Sequence, residues 1–223
     1  KYCKKNNIKW SNAVACNSSS VLQYVAASLM FLQKEKNIKL SSLTLGIIGV
    51  GNIGKLVADF GEKIGLKVLL NDPPREKNEK SKKFVSLKKI QEEADIITFH
   101  VPLNMEGEDK TYHMGNEHFF SNLKKKPYLI NAARGEVCKT ADLIHAKKKE
   151  QISGLILDCW ENEPNIHTEL LKMADIATPH IAGYSAEGKA KASSLAVQYI
   201  SQCLNLGLNT WEVTELPLPK QET

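Results

Sequence analysis

The sequence lacks the features of a membrane or secreted protein. No apolar run approaches the roughly 18 residues that a membrane-spanning helix needs. The first residues, Lys1–Lys5, contain no apolar signal core followed by a small-residue cleavage site. We therefore expect a soluble, cytoplasmic protein that has no membrane partner.

Cysteine is sparse and shows no paired spacing. The five cysteines are scattered along the chain, without the short separations typical of a zinc site or a disulfide framework. No two histidines or cysteines have the spacing of metal ligands either. These spacings predict reduced thiols and no metal. The cysteines are Cys3, Cys16, Cys138, Cys159 and Cys203.

Arginine is rarer still. Of the 30 basic residues only Arg75 and Arg134 are arginine, and the lysines are often interleaved with acids, as in Glu35-Lys36. Despite the net charge of +5, this mixing argues against a nucleic-acid partner. An arginine in a lysine-rich chain suggests that a planar, two-pronged donor was needed at that position. Chance use of arginine remains the alternative at this stage.

From Leu43 onward, short aliphatic runs alternate with helical stretches. This alternation is typical of a parallel sheet with helices on both faces, so the fold class is α/β, a doubly wound (Rossmann) sheet. The expected strands are Thr44–Val50, Lys67–Asn71, Ile96–His100, Tyr128–Asn131, Ile152–Asp158 and Asp175–Thr178. The expected helices open at Asn52, lie near Ser86–Glu93 and Asn116–Leu123, and run from Thr140 as N-cap to about Lys149.

The two ends of the chain differ from this pattern. Ser18–Gln33 and Ser185–Leu206 read as long helices that bracket the alternating region. The first residues hold at most one strand, around Ile8–Ser11, and the tail from Asn209 to Thr223 contains Pro217 and Pro219 and is expected to be extended. We expect residues 39–184 to form a nucleotide-binding domain, and residues 1–38 and 185–223 to belong to a second, smaller domain.

A glycine-rich turn follows the first strand and opens a helix. Glycines are needed there for a tight turn, for close approach of a pyrophosphate to the backbone, and for close packing of helix against strand. The N–H groups at the start of the helix then face the anion. The turn predicts dinucleotide binding by Gly49, Gly51, Asn52, Ile53 and Gly54.

An acid stands where this kind of site needs one. Asp72 ends the second strand. Its distance along the sequence from Gly54, the last glycine of the turn, is close to the ~20 residues expected for the carboxylate that hydrogen-bonds the ribose. A carboxylate there repels a 2′-phosphate and favours NAD over NADP. Arg75, three residues later, could in principle receive a 2′-phosphate, and Asp72 could instead be a surface acid of a turn.

Three later segments place polar residues at strand ends, where doubly wound domains bind ligands. Oxidation of a hydroxy acid by NAD needs a cation for the carboxylate, a base for the hydroxyl proton, and a partner for that base. Such residues occur in Asn131-Ala132-Ala133-Arg134-Gly135, in Asp158-Cys159-Trp160-Glu161-Asn162-Glu163-Pro164, and in Pro179-His180-Ile181-Ala182-Gly183-Tyr184-Ser185. Taken singly, Arg134, Glu163 and His180 could each be structural.

The glycine-rich turn and these three segments occur together in an order that resembles the D-isomer-specific 2-hydroxyacid dehydrogenase family. The resemblance extends from about Val14 to Leu206. Within the family, Asp72-Pro73-Pro74-Arg75 and the segment from His180 to Lys189 are most similar to members that act on a phosphorylated hydroxy acid in the synthesis of pyridoxal phosphate. The resemblance thus implies NAD as cofactor and a phosphorylated small molecule as substrate.

The resemblance also implies a role for each site residue. His180 would take the hydroxyl proton, Glu163 would orient the imidazole, and Arg134 would grip the substrate carboxylate. Tyr184 would reach the distal phosphate of the substrate. The implied cofactor contacts, besides the glycine-rich turn and Asp72, are Val101, Pro102, Ala132, Ala133, Asp158 and Gly183.

The chain departs from the family in what precedes its first strand. In the family, a substrate domain precedes the nucleotide domain, whereas few residues precede Thr44 here, so we expect this chain to be part of a longer protein and the complete protein to be a homodimer.

Alternative substrates are 3-phosphoglycerate and glyoxylate or hydroxypyruvate. A module that senses NAD without catalysis is the alternative from another class, against which the presence of Arg134, Glu163 and His180 argues.

Overall fold

The computed structural model describes residues 2–216. Its centre is a six-stranded parallel sheet with the strand order β2-β1-β3-β4-β5-β6. The strands are β1 (Thr44–Ile48), β2 (Lys67–Asn71), β3 (Ile96–Phe99), β4 (Tyr128–Asn131), β5 (Gly154–Leu157) and β6 (Ile176–Ala177). The predicted doubly wound α/β class is confirmed, and each of the six expected strands forms, in four cases over a shorter range.

The sheet is buried on both faces, which is why its strands are almost continuously apolar. Consecutive side chains of β3 point to opposite faces: Ile96 packs into one core, and Ile97 packs into the other. The first core contains apolar residues of α2 (Ser18–Glu35) and α3 (Asn52–Lys63). The second contains residues of α5 (Leu87–Glu93), α6 (Glu117–Ser121) and α7 (Thr140–Lys148).

The helix starts follow side-chain capping. Ser86, Asn116 and Ser185 each accept a hydrogen bond from a backbone N–H in the first turn of the helix that follows. The helices not yet named are α1 (Tyr2–Lys5), α4 (Pro73–Glu79), α8 (Thr168–Met173) and α9 (Ala186–Leu204).

Two local expectations were wrong, and some short helices were not predicted. Ile8–Ser11 forms no strand, because no neighbouring strand pairs with it. Thr140 is the first residue of α7 and Lys139 is its N-cap, without a capping side-chain hydrogen bond. The helices α1, α4 and α8 were not predicted, because each has at most two turns and too few apolar positions to show a period. Residues 211–216 carry no regular structure, and Pro217 and Pro219 lie outside the described residues.

The chain divides into two compact units, one of residues 21–182 and one of the residues on either side. The first holds the whole sheet. In the second, Ser185 caps α9 and its Oγ lies 2.7 Å from Ser20 Oγ, while the N–H groups of Leu208 and Val213 donate to serine hydroxyls of α9. Within the described residues, no helix is both long enough and apolar enough to span a membrane.

Candidate active site

The sheet has a topological switch point between β1 and β3. From β1 the chain adds β2 on one side, and it then returns to add β3 to β6 on the other side. In such sheets ligands bind outside the carboxyl ends of the strands at this point. A cavity of about 410 Å³ lies there. Its walls include Gly49 and Gly51 after β1, Asp72 after β2, and Val101 and Pro102 after β3.

The glycine-rich turn is built from close backbone contacts. Gly49 has a φ of +91°, and a Cβ on it would lie 2.6 Å from the carbonyl oxygen of His100. A Cβ on Gly54 would lie 2.1 Å from the carbonyl oxygen of Gly49. Gly51 differs, since a Cβ there would meet no atom within 4 Å and would project into open space beside the cavity. The turn therefore leaves room for a ligand at the N-terminus of α3.

Asp72 joins this turn to the next helix. Its Oδ2 accepts a hydrogen bond from the N–H of Val50 at 2.8 Å, and its Oδ1 accepts one from the N–H of Arg75 at 3.0 Å. The carboxylate is thus both the N-cap of α4 and a part of the cavity wall. A carboxylate has lone pairs for further donors, so these bonds leave capacity for ribose hydroxyls.

Arg75 is occupied elsewhere. Its guanidinium pairs with Glu79 at 2.5 Å, donates to the carbonyl oxygen of Val50, and lies 5.3 Å from the centre of the Phe84 ring. These contacts hold the guanidinium against the chain itself, which favours NAD over a cofactor that carries a 2′-phosphate.

The remaining predicted cofactor residues lie around the turn. Asn52 is exposed as the first residue of α3, and Ile53 is partly buried behind it. Ala132 and Ala133 are buried at the end of β4. Ala132 packs with Val21 and with Ala182 of the histidine-bearing turn.

The structure brings His180 and Glu163 together. His180 Nδ1 lies 2.7 Å from Glu163 Oε2, and Glu163 Oε1 accepts a hydrogen bond from the N–H of Trp160 at 2.8 Å. Because a carboxylate only accepts, Nδ1 carries the hydrogen and Nε2 is left as the free nitrogen. The pair is partly exposed, with 43% of the His180 side chain and 34% of the Glu163 side chain accessible. A base with an orienting carboxylate is the arrangement that proton abstraction needs.

Asp158 holds the backbone that carries His180. It is 1% exposed, and its carboxylate accepts hydrogen bonds from the N–H groups of Ile181 at 2.8 Å and Ala182 at 2.9 Å. Its carbonyl oxygen accepts the N–H of His180 at 2.7 Å. A third donor to the carboxylate is the hydroxyl of Thr178, at 2.7 Å. Sequence analysis missed this function of Asp158 and missed Thr178 altogether.

Arg134 is exposed at the end of β4, and its Nη1 donates to the carbonyl oxygen of Ala133 at 2.6 Å. A second cavity, of about 430 Å³, lies beside the histidine and is lined by Trp160, Glu163 and His180 together with mainly apolar neighbours. Arg134 is not among the described residues that line it. The structure therefore pairs two of the three predicted catalytic residues and places Arg134 at a neighbouring strand end, outside the lining of this cavity.

Gly183 and Tyr184 belong to the other unit. A Cβ on Gly183 would lie 2.5 Å from Asn17 Nδ2. Tyr184 is 70% exposed, and Lys189 Nζ lies 3.6 Å from the centre of its ring. A hydrogen bond and the charge of Lys189 lower the pKa of Tyr184.

The other titratable groups near strand ends have different roles. Burial raises the pKa of Cys159 to about 12, so this thiol is not a nucleophile at neutral pH. Burial lowers the pKa of His100 to about 4, which keeps that imidazole neutral. His113 lies 2.6 Å from Glu161 and stacks on Tyr112, and so ties the loop after β5 to its neighbours. Among the described residues, no group of three His, Cys, Asp or Glu side chains could hold a metal ion.

Comparison with known proteins agrees with this geometry. A protein described as erythronate-4-phosphate dehydrogenase from Bacteroides fragilis is 50% identical over 197 residues, which cover 88% of this chain and 57% of that protein. The protein of the same description from Bacteroides thetaiotaomicron is 50% identical over 213 residues, covering 96% of this chain and 61% of that protein. The chain thus spans about 60% of the length of the relatives that it matches.

Solved structures agree as well. The D-lactate dehydrogenase of Aquifex aeolicus, crystallised with NAD and lactic acid, superposes with a TM-score of 0.77 at 31% identity, covering 93% of this chain and 73% of that one. The family model described as the D-isomer specific 2-hydroxyacid dehydrogenase, NAD binding domain, matches residues 19–182, the range that contains the sheet, the glycine-rich turn and the Glu163–His180 pair. The chain belongs to the D-isomer specific 2-hydroxyacid dehydrogenase family and contains its NAD-binding domain.

Proposed function

We propose that the complete protein oxidises erythronate 4-phosphate, a D-2-hydroxy acid, to 2-oxo-3-hydroxy-4-phosphobutanoate with NAD as the hydride acceptor. The observation that carries the proposal is the Glu163–His180 pair, held at 2.7 Å at the carboxyl edge of the same sheet that forms the nucleotide cavity. The relatives at 50% identity are named for this substrate, which supports it.

The residues of the chain divide the work as follows. His180 Nε2 takes the proton of the hydroxyl at C2, and Glu163 stabilises the resulting imidazolium through the bond to Nδ1. Arg134 binds the substrate carboxylate with the two prongs of its guanidinium. The bound nicotinamide supplies the acceptor for the hydride of C2.

Four groups of the chain fit the dinucleotide. The open position at Gly51 and the first N–H groups of α3 receive the pyrophosphate. Asp72 receives the ribose hydroxyls, and Val101 and Pro102 form the wall against the adenosine half. Asp158, Ala132, Ala133 and Gly183 belong to the nicotinamide half in this proposal.

The phosphate of the substrate distinguishes this reaction from others of the family. We assign its recognition to Tyr184, which is 70% exposed and whose ring lies under the ammonium of Lys189. The related reactions use 3-phosphoglycerate, or glyoxylate and hydroxypyruvate, which place the phosphate differently or lack it. In cells, the reaction would serve the synthesis of pyridoxal phosphate in the cytoplasm, with a homodimer as the working form.

The test is NADH formation by the complete protein with each of these acids in turn. We expect erythronate 4-phosphate to give the highest kcat/KM, and His180→Ala to lower kcat by at least about a thousandfold, given the usual contribution of a general base together with its orienting partner. His145→Ala, an exposed histidine on α7, is the matched control and keeps the rate. Intact hydride transfer in His180→Ala would contradict the assignment of the base.

A further inference from the structure

A chain of hydrogen bonds connects helix α2 to the turn that carries His180. Tyr24, on α2, places its hydroxyl 2.9 Å from Thr178 Oγ1, although the two residues are 154 positions apart in the sequence. Thr178 Oγ1 lies 2.7 Å from Asp158 Oδ1. Tyr24 is packed against two of the apolar clusters, so its ring cannot move without disturbing them.

The direction of these bonds follows from the donors and acceptors available. The carboxylate of Asp158 only accepts, so the hydrogen of the Thr178 hydroxyl is directed at it. A threonine hydroxyl has one hydrogen, so its oxygen accepts from the hydroxyl of Tyr24. Burial raises the pKa of Tyr24 to about 12, and the tyrosine therefore keeps this hydrogen at neutral pH.

The far end of the chain of bonds is the backbone of His180. This residue has a φ of +57°, in the left-handed region, which is unfavourable for a non-glycine residue. Such a conformation persists only when the surroundings determine it. Here Asp158 accepts the N–H groups of His180, Ile181 and Ala182, the first through its carbonyl oxygen and the others through its carboxylate.

We propose that Tyr24 and Thr178 are positioning residues of the dehydrogenase: they orient the carboxylate of Asp158, and through it they hold the left-handed backbone that keeps His180 within reach of Glu163. Both residues act through Asp158 in this proposal. The proposal rests on the assignment of His180 as the base, but the hydrogen-bond link itself can be tested without turnover.

The first experiment measures amide hydrogen exchange in Thr178→Val, which keeps the shape of the side chain and removes the hydroxyl, and in Thr178→Ser, which retains the hydroxyl. In Thr178→Val we expect the N–H groups of Ile181 and Ala182 to exchange about fivefold faster, since one hydrogen bond contributes about 1 kcal/mol net. Leu155 and Ile156 of β5 keep their protection, and Thr178→Ser behaves as the parent.

The second experiment measures kcat and KM separately in the complete protein. Tyr24→Phe lowers kcat about fivefold, and Thr178→Val lowers it between about tenfold and a hundredfold, because small misplacements of a reacting group are costly. KM for the hydroxy acid stays constant, and Thr178→Ser recovers most of kcat. Tyr2→Phe, which removes the hydroxyl of a tyrosine that is 74% exposed, is the matched control and leaves kcat unchanged.

A purely structural role gives a different result. If Tyr24→Phe and Thr178→Val lower the melting temperature but change neither kcat nor the exchange of Ile181 and Ala182, the proposal is wrong. Absence of turnover in the parent protein with every hydroxy acid would instead overturn the proposed function. In that case, faster exchange confined to Ile181 and Ala182 still supports the link from Tyr24 and Thr178, and unchanged exchange refutes it.

Discussion

At the scale of single residues, the glycine-rich turn uses the missing side chain for two purposes. Gly54 has the Gly49 carbonyl oxygen where its Cβ would be, whereas Gly51 has open space there. The fold requires the first glycine, and in the proposed function the ligand requires the second. The two requirements can be separated by the same substitution at each position.

We expect Gly51→Ala to keep the melting temperature of the chain without ligand and to weaken NAD binding by about tenfold or more, because the methyl group occupies the approach to the pyrophosphate. Gly54→Ala should lower the melting temperature even without ligand, because the contact of 2.1 Å forces the backbone apart. Calorimetric titration with NAD and thermal melting measure both. Equal NAD affinity in Gly51→Ala and the parent would contradict the ligand-based explanation.

The buried imidazole of His100 should lower the free energy of unfolding in acid. Its pKa is about 4 in the folded chain against 6.5 ordinarily, so between these values the unfolded chain binds a proton that the folded chain does not. Stability therefore falls as the pH drops from about 6.5 to about 4, by at most roughly 3–4 kcal/mol, since each pKa unit corresponds to about 1.4 kcal/mol. Denaturant unfolding at several pH values measures this decline.

His100→Gln should flatten the decline, because glutamine keeps a polar atom for Thr98 and does not titrate. His145→Gln, at an exposed position, is the control and should leave the pH dependence unchanged. A decline of the same steepness in His100→Gln and in the parent would show that other groups cause it.

At the scale of elements, α4 shows how one residue can serve a helix and a ligand site together. Asp72 caps α4 through the N–H of Arg75 and also accepts the N–H of Val50 from the glycine-rich turn. The signals for this helix were present in the sequence, since an N-cap acid followed by proline is a common helix start. They were interpreted only as a ribose acid and a turn, because two turns are too short to show a hydrophobic period.

Replacement of Asp72 should separate these functions. Asp72→Ala loses the cap and the bond to Val50, so we expect it to lower stability by about 1 kcal/mol and to weaken NAD binding. Asp72→Asn keeps one acceptor and should retain most of the stability, while its lost charge relaxes discrimination against NADP. Competitive titration with NAD and NADP measures the ratio. Equal affinities for the two in the unmodified chain would refute the role of the carboxylate.

At the scale of the whole molecule, a ligand that binds only the folded chain stabilises it by mass action. We expect the melting temperature of this chain to rise steadily with NAD, by roughly 2–4 °C for each kcal/mol in a chain of this size. At a free concentration of about 100 times Kd the stabilisation is about 2.7 kcal/mol. NADP at the same concentration should give a smaller rise. A melting temperature that does not respond to NAD would contradict the cofactor site.

The sequence was sufficient for the order and type of the main elements. Each strand between Thr44 and Ala177 is a short aliphatic run, and the alternation with helices permits few arrangements other than a parallel sheet. The glycine-rich turn and Asp72 were recognisable because their spacing is local, within one strand, turn, helix and strand. The prediction of a strand at Ile8–Ser11 was wrong, because it also used only the local pattern and no neighbouring strand pairs with this segment.

Only the tertiary structure decided which distant residues meet. The pairing of His180 with Glu163 and the bond from Tyr24 to Thr178 are contacts that periodicity cannot report, and only the family resemblance had implied the first of them. A hydrophobic pattern indicates that a face of an element is buried. It does not indicate which other element covers that face, because this depends on the order of the strands in the whole sheet. The sequence therefore determined the sheet and the place of its ligand site, and the winding of the chain determined how Asp158 and its partners hold the histidine.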